Sequence, residues 1–233
     1  MTAAGFATLL RHDARLQWRY GSYAAYAFVV AFYVATLLSA GRFLPDWMIG
    51  FVVFTDPAAV GFFFLGGLLM LERAERVRAP LAVTPLTPAA YLASKALTLT
   101  ALSLASCAFL VPFLHPGANP VLLLVVVALT SLQYVGIGTP VGLWFRTVSG
   151  YLIGSAVFLT PPIALGFLAL IEPTPAWLYV IPAVSQLRLM LVATGATTAS
   201  LTEVAVMLAV SAAAAAGALW LGHRSLAKEF GRR

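Results

Sequence analysis

The chain has 233 residues, of which 61% are hydrophobic and only 9% charged, and its mean hydropathy is +0.95. Soluble domains carry about 25% charged residues, so this composition excludes an ordinary soluble fold and implies an all-α polytopic membrane protein. The net charge of +6 and pI near 9.8 are the mark of membrane topology and anionic headgroups; no interleaved basic and aromatic pattern points to nucleic acid.

Residues 5–20 carry Arg11, Arg15 and Arg19 at helical spacing, with Phe6, Leu9, Leu10, Leu16 and Tyr20 on the opposite side. This stripe predicts an interfacial amphipathic helix. Asp13 and Gln17 interrupt its apolar face, which argues for a shallow position among headgroups. No small-residue cleavage site of convincing form follows, so no removable signal peptide is expected.

Six uncharged or nearly uncharged runs are long enough to cross ~30 Å of hydrocarbon as helices. They are Tyr23–Ala40, Trp47–Leu71, Ala96–Leu114, Val121–Phe145, Tyr151–Ile171 and Val204–Gly222. Their apolar character is continuous rather than alternating, which favours helices over barrel strands. With the N-terminus in the cytoplasm, 12 of the 14 basic residues fall inside and only Arg42 and Arg188 outside, as the positive-inside rule requires. Both termini are then cytoplasmic, in a multi-pass protein of the cell's inner membrane.

The first run is rich in aromatics, among them Tyr26 and Phe32. They suit either an apolar ligand or simple helix packing, and packing is the plainer reading. In the second run, Asp56 is an ionisable residue at membrane depth and so a functional candidate. It also precedes Pro57, the grammar of an N-cap and first helical residue. The cap is the favoured reading, and it makes the residues before Asp56 a tilted or re-entrant outer segment.

Between the second and third runs, residues 72–95 gather Glu72, Arg73, Glu75, Arg76, Arg78 and Lys95. That is 6 of the 22 charged residues in 24 positions, which marks a loop in water and a docking surface for a soluble partner. Thr87–Pro88 and Asn119–Pro120 read as helix starts, and Ser200 with Glu203 as a capping box. Gln133 and Tyr134 precede Gly136, Gly138 and Gly142, a spacing for close helix approach or a polar face toward a cavity. Pro161 and Pro162 should kink the fifth span. Residues 172–200 are too interrupted by proline to cross cleanly, so short re-entrant helices in the outer leaflet are expected there. The single cysteine, Cys107, offers no disulfide and reads as packing.

Chemical motifs are missing. There is no GxxxxGK[ST] phosphate loop, no H-E-x-x-H and no G-x-S-x-G, and His12, His115 and His223 are far apart. The chain reads as a non-enzyme with no metal site and no cofactor of its own.

Glu72-Arg73, Leu81, Val83-Thr84-Pro85-Leu86 and Tyr91-Leu92 with Lys95 resemble the first cytoplasmic loop of type-2 ABC exporter permeases. LQWRYGSYAAYAFVV and FTDPAAVGFFFLGGLLMLER are similar to the drug-export branch known as fluoroquinolone-export permeases. The resemblance covers most of the chain and implies one permease domain over residues 1–233. Such a permease would pair with a second copy or a sibling and bind a separate ABC ATPase subunit that holds the ATP and Mg. It further implies an ATPase-coupling element, carried here by Glu72, Arg73, Glu75, Arg76, Arg78, Leu81, Thr84 and Tyr91. Ala79 stands where the family pattern has a glutamate, and Pro80 interrupts a usual helix. An export path for amphipathic, drug-like or lipid-like compounds is expected along Tyr26, Phe32, Asp56, Phe63, Gln133 and Tyr134. The rival readings are a gradient-driven secondary transporter, for which Asp56 is the sole acid available, and a non-transporting scaffold.

Overall fold

The computed structural model describes residues 3–74, 87–114 and 117–231, and among them there is no β-strand. Six helical stretches are long and apolar enough to cross a membrane: Ser22–Ser39, Asp46–Arg73, Pro88–Phe113, Pro120–Trp144, Val148–Leu170 and Leu201–Gly231. They match the six apolar runs of the sequence, with two adjustments of boundary. The third begins at Pro88, so Lys95 lies two turns inside a helix; the sixth continues to Gly231.

The elements are α1 (Ala3–Arg19), α2 (Ser22–Ala40), α3 (Asp46–Ala59), α4 (Leu65–Ala74), α5 (Pro88–Leu110), α6 (Pro120–Trp144), α7 (Val148–Gly166), α8 (Pro182–Thr194) and α9 (Leu201–Gly231). A five-residue π-helical stretch, Val60–Phe64, joins α3 to α4. The predicted starts hold at three places. Thr87 accepts from the Ala90 N–H at 3.2 Å and Asn119 from that of Leu122 at 3.0 Å. The Ser200 N–H donates to Glu203 at 2.8 Å while Ser200 Oγ accepts from the Glu203 N–H at 3.3 Å, a reciprocal capping box.

The Asp56–Pro57 start does not hold. α3 opens at Asp46 and runs through both residues, so Trp47–Thr55 belongs to the span. In water an Asp-Pro pair ends or opens helices. In hydrocarbon a break there would leave backbone groups with no water to bond, so the helix continues and the proline is tolerated. From Asp46 to Arg73 the span has 28 residues, ~42 Å at 1.5 Å per residue.

α6 is the hub of the bundle, packed on α3, α4, α5 and α8 and most extensively on α9. Its glycines make this possible. A Cβ on Gly136 would lie 2.3 Å from the backbone of Ala218 in α9, and one on Gly138 3.2 Å from Phe62. The stripe is therefore a close-approach surface. α2, in contrast, is the least buried span, with Phe28 and Phe32 facing outward.

Two apolar cores sit at opposite ends. One gathers Phe54, Leu110, Leu123, Leu187 and Met190 around α8, which is almost wholly buried. The other joins Tyr26, Leu68, Leu92, Leu99 and Leu226, with Tyr20 and Phe230 packed against it. The N-terminal helix, the residues flanking 75–86 and the C-terminal helix thus share one end of the bundle.

Candidate functional site

The loop-bearing end is organised by charge. α1 does not lie free on its apolar face: Asp13 and Gln17, the two residues that break that face, are turned into α5 and buried. Gln17 donates to Thr98 at 2.8 Å, and Asp13 receives Lys95 Nζ at 2.6 Å and the Ser94 hydroxyl. On its other side Lys95 meets Glu72, which also accepts from the Tyr91 hydroxyl. The Tyr91 ring lies 4.9 Å from the ammonium, within cation–π range. Asp13, Glu72 and Lys95 are each at most 2% exposed.

One lysine and two carboxylates out of water form a costly arrangement unless every lone pair finds a donor. Here the two hydroxyls supply the donors a second cation would give. The result fastens α1, the end of α4 and the start of α5 to one another, on both sides of residues 75–86. Glu72 and Lys95 are therefore clamped inside rather than presented to water. Arg73 turns elsewhere, donating to the carbonyls of Phe145 at 2.9 Å and Leu143 at 3.4 Å. These lie at the C-terminus of α6, where a cation is favoured by the helix dipole.

A second polar pair lies deeper. The Tyr26 hydroxyl of α2 donates to the Asp56 carboxylate of α3, and both side chains are buried. No basic side chain forms an ion pair with Asp56 among the described residues. A lone ionised carboxylate at this depth costs ~2.5–3.5 kcal/mol on insertion scales. Tyr26 and Ser106 also line a groove of about 380 Å³ between α2 and α5. A neighbouring apolar cavity of about 130 Å³ carries Phe32 and Tyr33.

A family model described as the fluoroquinolones export permease protein family matches residues 4–230. The chain belongs to this family. It is similar to two fluoroquinolones export permease proteins of Mycobacterium tuberculosis, from strains CDC 1551 / Oshkosh and H37Rv. Each is 30% identical over 186 residues, covering 78% of this chain and 77% of the relative. No solved structure matches.

In this member of the fluoroquinolones export permease family, a multi-pass membrane protein, the residues singled out in the sequence divide into separate groups. Glu72 and Tyr91 are in direct contact, Arg73 caps α6, and Glu75, Arg76, Arg78, Leu81 and Thr84 lie outside the described residues. Tyr26 and Asp56 are paired, with Phe32 farther along α2. Phe63 and Tyr134 belong instead to an apolar cluster with Phe62 and Tyr151, and Gln133 accepts from Gln186 of α8 at 2.8 Å. Asp13, Ser94, Ser106 and Gln186 were not foreseen. For Asp13 the signal was present, since a carboxylate inside an apolar stripe asks for a buried partner.

At the opposite end Glu172 pairs with Arg188, which is itself buried, and accepts from Thr197 at 3.4 Å. The hydrogen bond from Arg188 holds the Glu172 carboxyl below the usual carboxylate range. Among the described residues no group of three His, Cys, Asp or Glu side chains is placed to hold a metal ion.

Proposed function

We propose that this chain is the membrane-spanning permease subunit of an ATP-driven exporter, moving amphipathic drug-like or lipid-like compounds out of the cell by alternating access. All 233 residues act as one permease domain. A separate ABC ATPase subunit binds and hydrolyses the ATP with Mg, docking on residues 75–86, and a second permease copy or a sibling completes the translocation path. The basic end, with both termini, faces the cytoplasm.

Family membership supports the permease and drug-export parts of this reading. The observation that carries the coupling is the Asp13–Lys95–Glu72 network. It locks both flanks of residues 75–86 to α1, so a push on that segment moves α1, α4 and α5 together rather than bending one helix. Asp56, an intramembrane acid without a basic partner among the described residues, favours the second reading, a gradient-driven secondary transporter.

Purification of the tagged chain in mild detergent tests the proposal. A nucleotide-binding subunit should accompany it, and Arg76→Ala with Arg78→Ala should weaken that complex and abolish substrate-stimulated hydrolysis. Full retention of the complex and of the stimulation would overturn docking at this segment. Arg73 is left unchanged because it caps α6.

A further inference from the structure

We propose that the groove between α2 and α5 is a binding site for an amphipathic organic cation, with Asp56 as the counter-charge and Tyr26 as the residue that hands the cation to it. The inference rests on the exporter reading and names its substrate class.

The groove encloses about 380 Å³, within the range of pockets that take drug-sized ligands. Val30, Val34, Leu102 and Phe109 supply apolar walls, and Tyr26 and Ser106 add polar groups. Ser106 is 2% exposed, and its hydroxyl stands beside both Asp56 and Tyr26 without completing a hydrogen bond of normal geometry to either. A buried hydroxyl left unsatisfied beside a cavity is the kind of group a ligand completes.

Behind Tyr26 stands Asp56, buried, accepting from the Tyr26 hydroxyl and lacking a cationic partner among the described residues. Tyr26 both lines the groove and donates to this carboxylate, and Ser106, another lining residue, stands beside it, so these two side chains separate cavity from charge. A cation whose apolar body fills the groove places its charge next to the Tyr26 ring, where a cation–π contact is favourable. Displacement of the phenolic hydroxyl then pairs it with Asp56. A lipid tail or the face of a second copy would occupy the same groove without regard to Asp56, and charge complementarity selects the cation over both.

The test uses the full chain in phosphatidylcholine nanodiscs, with empty discs as the blank. Two probes of the same shape and opposite charge are compared, tetraphenylphosphonium and tetraphenylborate. The parent should bind the phosphonium preferentially. Asp56→Asn should weaken that binding by roughly tenfold or more, as when a buried charge pair loses one partner, while Asp56→Glu keeps it within a few fold. Ala105→Trp fills the groove from a lipid-facing position and should abolish phosphonium binding even if Asp56→Asn proves unstable. Equal phosphonium binding by the parent and either Asp56→Asn or Ala105→Trp, a preference for the borate, or no phosphonium binding at all would overturn the proposal. Because no ATPase is present, failure here leaves the coupling proposal standing, and absence of a nucleotide-binding partner leaves this result standing.

Discussion

Lys95 Nζ lies 2.6 Å from Asp13 Oδ1, a contact that fastens the N-terminal helix to α5 in a site shielded from water. Removing the ammonium strands Asp13 and Glu72 as buried like charges. Lys95→Met is expected to destabilise the chain by about 3–5 kcal/mol, read from denaturation of the purified protein in detergent. Combining it with Asp13→Asn and Glu72→Gln should recover most of that loss. A single Lys95→Met variant as stable as the parent would mean that the network is not closed.

Gly136 meets the backbone of α9 so closely that a methyl group has no room. Gly136→Ala should cost about 1–3 kcal/mol through overpacking. Gly67, with nothing within 4 Å of an added Cβ, is the matched control: Gly67→Ala should leave stability unchanged or raise it by up to about 1 kcal/mol through helix propensity. Melting curves of the two variants, compared at equal detergent concentration, separate crowding from propensity.

These two sites illustrate what the sequence could and could not convey. The glycine stripe of α6 announces close packing because small residues at helical spacing have few other uses in a membrane. The spans and the caps at Thr87, Asn119 and Ser200 were legible for the same reason: they follow from local hydropathy and hydrogen-bond grammar. Lys95 was not, since its charge counts as cytosolic until two carboxylates 23 and 82 positions away are seen to enclose it. Asp56 misled in the opposite direction. Its cap reading is local and correct for water, and the surrounding hydrocarbon overrides it.

Arg73 donates to the carbonyls of Leu143 and Phe145, which binds the end of the second span to the end of the fourth. Arg73→Ala should destabilise by about 1–3 kcal/mol, the cost of leaving such acceptors without their donor. Arg73→Lys should restore part of it, because a single ammonium cannot reproduce the fork of the guanidinium. Chemical denaturation of the three proteins checks the order.

At the far end, Glu172 ionises more readily than a free carboxyl because Arg188 bonds to its charged form. Its folded pKa is lowered, so its stabilisation is complete above the ordinary carboxylate range near ~4.3 and is lost as pH falls through the lowered value. Glu172 is largely exposed, so Glu172→Gln should remove less than about 1 kcal/mol at neutral pH. The difference from the parent should shrink in acid. A difference that grows on acidification would contradict the pairing.

The central claim, that the chain exports its substrate when driven by a separate ATPase, is tested most directly in inside-out vesicles containing the permease and its co-purified nucleotide-binding subunit. With ATP, accumulation of a fluoroquinolone inside the vesicles should rise well above the no-nucleotide control and persist when a protonophore collapses the proton gradient. Accumulation that needs the gradient and ignores ATP would contradict the account and establish the secondary-transporter reading in its place.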